Sequence, residues 1–193
     1  MPESDAVAVA RAQAGDPDAF RDLVDRHSRR IYRLALRMTG SVQDAEDVVQ
    51  EAFLRAYRQL DRFESRANFG TWLHRITVNC SIDLMRARPR REDAQDADTL
   101  ETLGPAVTTH GGDATSEPER LALSAEIQER VVEAMERLSP MERAAFTLRH
   151  FEGMSIDEIG QTLNLRTNAT KHSIFRAVRK MRAALEPFVT TPS

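Results

Sequence analysis

A serine followed three positions later by a glutamate occurs at Ser116 and Glu119, at Ser139 and Glu142, and at Ser155 and Glu158. The hydroxyl can accept from the glutamate's backbone amide while the carboxylate reaches back to the serine amide, so each pair marks a helix start. Pro140, directly after Ser139, is preset for the first helical position. Three helix starts are thus fixed, and no run shows the period-2 alternation of a half-buried strand. The apolar period agrees: Leu123, Ile127, Val131, Met135 and Leu138 follow Ser116, and Met141, Ala145, Leu148 and Phe151 follow Ser139 until Gly153.

The third start predicts a short helix over Ile156–Leu163, a turn containing Asn164, and a longer helix from about Thr167. Asn is among the few non-glycine residues that accept the positive φ of such a turn. Ile159 and Leu163 face inward, Gly160 permits a close crossing, Leu165 fills the turn, and Ile174, Ala177 and Met181 bury the second helix. This is a helix-turn-helix, whose second helix can enter a DNA major groove. The opposite face carries Asn168, His172, Phe175 and Arg179, introduced by Arg166 and Thr167 and flanked by Lys171, Arg176 and Arg182. Although the chain's net charge is −3, residues 164–183 hold six basic side chains and no acidic one. Asn and Arg suit base edges, whereas Lys and the outer Arg residues suit phosphates.

Upstream, Asp16-Pro17 predicts a capped helix whose apolar positions Phe20, Leu23, Val24, His27, Ile31, Leu34, Ala35 and Met38 run to Gly40. Ser41 caps the next helix, with Ala45, Val48, Val49, Ala52, Phe53, Ala56 and Leu60 on one arc. Opposite that arc Asp44, Asp47 and Glu51 form a carboxylate stripe, with Glu46 and Gln50 beside it. Acids in the first turn offset the helix dipole, and Glu51 can pair with Arg55, so the stripe reads either as local stabilisation or as a docking face. A third helix, about Asn68–Arg86, buries Phe69, Trp72, Leu73, Ile76, Cys80 and Leu84. Phe63, Phe69 and Trp72 interleave with Arg62, Arg66, Arg75, Asn79 and Arg86, a composition suited to single-stranded DNA, although aromatic rings at this spacing also build cores.

The chain is therefore predicted to be all-α, two small helical lobes joined by a flexible tether. The limits are 1–91, 92–115 and 116–193, the middle stretch being acidic, punctuated by Pro and Gly and poor in large apolar groups. Cys80 is the only cysteine, which excludes an internal disulfide and a thiolate zinc site, and the five histidines show no metal-ligand spacing. No nucleophile or glycine-rich loop accompanies the carboxylates, so no catalytic residue, metal or cofactor is expected. No apolar run approaches the ~20 residues of a membrane span, and the N-terminus lacks a signal-peptide layout, so a cytoplasmic protein without membrane insertion is expected.

Taken in order, these elements resemble an extracytoplasmic-function sigma factor of the sigma-70 family. Residues 44–57, Asp-Ala-Glu-Asp-Val-Val-Gln-Glu-Ala-Phe-Leu-Arg-Ala-Tyr, look like the family's polymerase-binding helix. Residues 71–79, Thr-Trp-Leu-His-Arg-Ile-Thr-Val-Asn, followed by Asp83 and Arg86, look like its promoter-melting helix. Leu138–Arg143 and Ser155–Ala177 resemble its second domain. The resemblance implies that Asp47, Gln50 and Glu51, with Asp44 alongside, bind the β′ clamp helices of core RNA polymerase, and that the second domain meets the β flap. It implies capture of an unpaired −10 base by the loop Arg62–Asn68, which includes Phe63 and Arg66, with Trp72, Arg75, Asn79 and Arg86 as further DNA contacts. Arg166, Thr167, Asn168, Lys171, His172, Phe175, Arg176 and Arg179 would meet the −35 element as duplex, and an anti-sigma factor would be a further partner. The chain departs from the family pattern at Asn164, Asn168, Ala169 and Thr170, where Gly, Gly, Thr and Val are commoner, and Trp72 is its sole tryptophan.

Two other classes compete. A stand-alone helix-turn-helix regulator, with an N-terminal lobe that binds a ligand or dimerises, predicts tight duplex binding without polymerase. An enzyme would need a pocket with perturbed acids or a metal.

Overall fold

The structure, a computed structural model, describes residues 4–64, 68–87 and 117–189, with the side chains of 117–125 and 189 excepted. The Ser116 capping pair, the burial of Leu123, the tether 92–115 and Arg66 lie outside what is described. Among the described residues there are eight α-helices and no strand: α1 Asp5–Gln13, α2 Pro17–Thr39, α3 Val42–Gln59, α4 Phe69–Ala87, α5 Glu117–Glu136, α6 Pro140–His150, α7 Ile156–Leu163 and α8 Thr167–Val189. A 3₁₀ turn, Leu60–Arg62, extends α3.

Local chemistry sets most of these limits. Asp16 caps α2 by accepting from the Asp18 and Ala19 amides, with Pro17 at the first position, and Gly40 ends the helix at φ 74°. Ser41 caps α3 through the Asp44 amide at 3.3 Å. Ser139 and Ser155 both form complete capping boxes, with Glu142 and Glu158 respectively. Helix α1 was not expected, because its inward stripe is small (Ala8 and Val9) and gives little period to read. It is pinned from a distance: the Asp5 carboxylate lies 2.9 Å from His27 Nε2, and Gln13 Nε2 donates to the Leu60 and Phe63 carbonyls at 2.8 and 3.1 Å.

Helices α1–α4 enclose one core around Val9, Leu23, Ile31, Phe53, Phe69 and Leu73, and a second around Leu36, Val48 and Cys80. Helices α5 and α8 pack through Met135, Leu138, Ala177 and Met181. The two lobes also share a core: Leu34, Met38, Val78 and Ile82 of lobe one pack with Ala144, Ala145, Leu148 and Ile159 of lobe two. Sequence spacing predicts Leu34, Met38, Ala145, Leu148 and Ile159 of this shared core as apolar-face positions but not Val78, Ile82 or Ala144, and it cannot say which partner covers any of them. Phe151, expected on the buried arc of α6, instead lies beyond the helix end and is 47% exposed.

Candidate nucleic-acid and protein interfaces

The helix-turn-helix forms as spaced. Asn164 ends α7 in the left-handed region (φ 52°, ψ 46°), and the Leu165 amide returns to the Gly160 carbonyl at 2.8 Å. A Cβ on Gly160 would stand 3.0 Å from the Leu165 carbonyl oxygen and 3.3 Å from Thr170 Oγ1, so any side chain there would press on the turn by a few tenths of an ångström. Thr170 and Ser173 are buried with Ala177 and Met181. That orientation leaves Arg166, Thr167, Asn168, Lys171, His172, Phe175, Arg176 and Arg179 exposed along one side of α8. Phe175 is 64% exposed, an unusual place for an apolar ring on an otherwise polar face.

Two of the basic residues on α8 serve the lobe itself. Lys180 Nζ donates to Glu142 Oε2 at 2.6 Å, and Arg176 Nε lies 3.3 Å from Glu142 Oε1. Burial pushes the Glu142 carboxyl up, but the Lys180 hydrogen bond and the Ser139 amide outweigh it and hold the carboxyl below its ordinary range. Arg176 and Lys180 therefore tie α8 to the start of α6. Among the described residues Arg166, Lys171, Arg179 and Arg182 have no carboxylate partner, and they carry the positive field of this face.

On α3 the exposed acidic face consists of Glu46, Asp47 and Gln50, with Glu51 half-exposed. Glu51 accepts from Arg55 Nε at 2.6 Å, and Arg55 Nη1 also reaches Asp83 at 3.2 Å. Asp44 departs from the expected stripe: it is 5% exposed and lies in the field of Arg143, a lobe-two residue that is itself 8% exposed. Burial lowers the Arg143 pKa to about 10, opposed by Glu136 and Asp44. Beside the acidic face runs an apolar groove of about 510 Å³ lined by Phe20, Val24, Val49, Leu54 and Tyr57. Leu54 and Tyr57 are 43% and 59% exposed. Their place three residues apart, off the buried arc of α3, was the signal available in the sequence.

On α4, Asn68 caps the helix by accepting from the Gly70 amide at 2.8 Å. Phe69 and Phe63 are buried, and the half-buried Trp72 packs on them with ring centroids 5.8 and 4.7 Å away. The rings are thus a core that supports the start of the helix. Arg62, Asn68, Arg75, Asn79 and Arg86 are exposed, and Trp72, Arg75, Asn79 and Arg86 share one face at 100° per residue. Among the described residues, no helix is long and apolar enough to cross a membrane.

Comparison with known proteins identifies both lobes. Residues 23–91 match the family model for sigma-70 region 2, and residues 128–181 match that for sigma-70 region 4. The chain is 37% identical over 189 residues to the ECF RNA polymerase sigma-E factor of Escherichia coli (strain K12), covering 96% of both chains. It is 34% identical over 178 residues to the ECF RNA polymerase sigma factor SigW of Bacillus subtilis (strain 168), covering 92% of this chain and 94% of that one. Among solved structures it is similar to CnrH in complex with the cytosolic domain of CnrY, with a TM-score of 0.62 at 28% identity over 96% of this chain and 99% of that one. It shares its fold with the sigma factor RpoE, solved with the anti-sigma factor NepR from Bartonella quintana, with a TM-score of 0.58 at 22% identity over 86% and 96% of the two chains.

Proposed function

The chain belongs to the extracytoplasmic-function sigma factors of the sigma-70 family, and from that premise we propose which of its residues hold the polymerase and which read the promoter. It binds core RNA polymerase and directs promoter-specific initiation through −10 and −35 elements. The observation that carries the residue assignment is the separation of three chemically distinct exposed faces on three different helices.

The acidic face of α3 suits a basic partner helix, since carboxylates orient such a partner and form charge-assisted hydrogen bonds. Asp47 and Gln50 are its accessible centre, Glu51 joins once Arg55 yields, and Asp44 is reached only when Arg143 withdraws. The β′ clamp helices are the partner assigned to this face, and the β flap is assigned to the second domain. On α4 and the segment leading into it, Arg62, Asn68, Trp72, Arg75, Asn79 and Arg86 are assigned to the unpaired −10 strand, with Phe63 supporting them from the core and Arg66 assigned with them. On α8, Asn168, His172, Phe175 and Arg179 are assigned to −35 base edges and Arg166, Thr167 and Lys171 to the backbone, with Arg176 restrained by Glu142. The corresponding domains are 1–91 and 116–193, with 92–115 as tether.

The protein acts in the cytoplasm with the polymerase and uses no cofactor or catalytic group. A protein inhibitor belongs to the same reading: the family implies an anti-sigma factor, and CnrH was solved bound to part of a second protein. Size-exclusion chromatography with core polymerase tests the assignment. Co-elution that is lost on Asp47→Arg supports it, and a chain that never associates with core refutes it.

A further inference from the structure

Lobe two meets lobe one through a carboxylate as well as through apolar side chains. Glu152 lies in the turn between α6 and α7, where its amide donates to the Thr147 carbonyl at 3.2 Å and Arg149 Nη1 donates to the Met154 carbonyl at 2.8 Å. The turn thus presents Glu152 from a braced backbone. Its side chain is 13% exposed; Oε1 accepts from Arg37 Nη1 at 3.1 Å, and Oε2 lies 3.5 Å from Nε2 of His74, which is charged only when protonated. The hydrogen bond to His74, more than burial opposes it, holds the Glu152 carboxyl below its usual range, and Arg37 and Arg30 add to the effect. The Arg37 guanidinium also sits over the Phe151 ring, 5.1 Å from its centroid.

Arg30 and Arg37 are two turns apart on one face of α2, and His74 belongs to α4. Among the described residues, none of the three has a carboxylate partner from lobe one. Lobe two alone supplies the counter-charge. On α4, His74, Val78 and Ile82 are covered, while Arg75, Asn79 and Arg86 on the adjoining arc are exposed. The cationic group therefore borders the face assigned to the −10 strand.

The closed arrangement cannot engage both promoter elements. Their separation of roughly 25 base pairs spans about 85 Å at ~3.4 Å per pair, whereas helix diameters of ~10–12 Å put the recognition helix within two helix layers of α4. When both elements are bound, lobe two has left α4 and Glu152 has left with it. Arg37 and His74 then stand without their counter-charge beside the DNA strand. A phosphate offers what the carboxylate offered, anionic oxygens for a guanidinium fork and an imidazole N–H.

We propose that Arg37, His74 and Arg30 form a binding site for a DNA backbone phosphate beside α4, and that Glu152 occupies this site when the lobes are closed. The chain thus carries its own competitor for the strand, and closure and DNA binding at this site exclude each other. The inference rests on the promoter reading above.

The test is fluorescence anisotropy with a labelled 20-nucleotide single-stranded DNA of mixed sequence, using the full chain. Glu152→Gln keeps the shape and removes the charge; it is expected to bind about five-fold tighter than the unaltered protein. Arg37→Ala weakens binding, cancels the gain when combined with Glu152→Gln, and lowers the log–log salt slope of the Glu152→Gln protein by ~0.7. Arg37→Gln serves in its place if circular dichroism shows that Arg37→Ala does not fold. Unchanged affinity for Glu152→Gln, or an equal gain with and without Arg37, overturns the proposal. So does a gain seen only for core polymerase in the absence of DNA, which would make a polymerase acid the occupant. Polymerase-dependent transcription by the unaltered chain persists if only this site is wrong, and its absence refutes the promoter reading itself.

Discussion

The guanidinium of Arg143 lies against the bare α-carbon of Gly40, so close that a Cβ there would stand 2.5 Å from Nη2. Gly40 does two jobs: its φ of 74° ends α2, and its lack of a side chain admits a lobe-two cation into lobe one. Gly40→Ala strains the left-handed residue by ~1–2 kcal/mol and displaces a buried charge besides. Chemical denaturation is expected to show a lower midpoint, and an unchanged midpoint contradicts the packing described.

A second glycine and its neighbour separate conformational from steric demands. Asn164→Gly keeps the left-handed turn available and is expected to change stability by under ~1 kcal/mol. Gly160→Ala pushes on the Leu165 carbonyl, a backbone atom that cannot rotate away, so the turn into α8 must give by a few tenths of an ångström. Its duplex-DNA affinity is expected to fall at least several-fold while Asn164→Gly retains binding. Equal affinities for the two variants contradict the close crossing.

Charge reversal on α3 should distinguish neighbours. Asp47 is exposed, whereas Glu51 is held by Arg55. Asp47→Arg is expected to reduce core-polymerase binding ten-fold or more with unaltered thermal stability. Glu51→Arg is expected to lose binding and to unfold slightly earlier, because Arg55 then faces a like charge. Full binding by folded Asp47→Arg reduces the acidic face to a helix-dipole feature.

Cys80 is buried, and desolvation pushes its thiol from an ordinary 9.0 to about 11. The unfolded chain releases this proton near pH 9 and the folded one near 11, so between those values the unfolded state binds fewer protons and stability falls as pH rises. The contribution is fully present below pH 9, and its loss across the window is at most ~2–3 kcal/mol. Cys80→Ala should flatten that part of a stability–pH curve, and the native thiol should resist alkylation at pH 8. Rapid native labelling contradicts the burial.

How much of this was legible follows from the range of each interaction. Asp16-Pro17, Gly40, Ser41, Ser139, Ser155 and Asn164 act on backbone groups within a few residues of themselves, so their helix limits could be read directly. The exposed face of α8 followed because burying Ala177 and Met181, with Ile174 partly covered, determines what points outward. Illegible were the pairings across the chain: Arg143 over Gly40 and beside Asp44, Glu142 engaging Arg176 and Lys180, and Glu152 bridging Arg37 and His74. Each brings a charged side chain to a partner far along the chain that local spacing does not reveal, and only the packing of one helix on another shows it.

The most direct test of the central claim is start-site mapping of transcripts made in vitro by core RNA polymerase, with and without this protein, on a pool of genomic fragments from its own organism. Discrete start sites are expected only when the protein is present. They should be lost with Asp47→Arg and redistributed with Asn168→Ala if, as proposed, the first residue holds the polymerase and the second reads bases. Identical transcripts with and without the protein, accompanied by tight duplex binding in the absence of polymerase, would contradict the account and point to a stand-alone regulator.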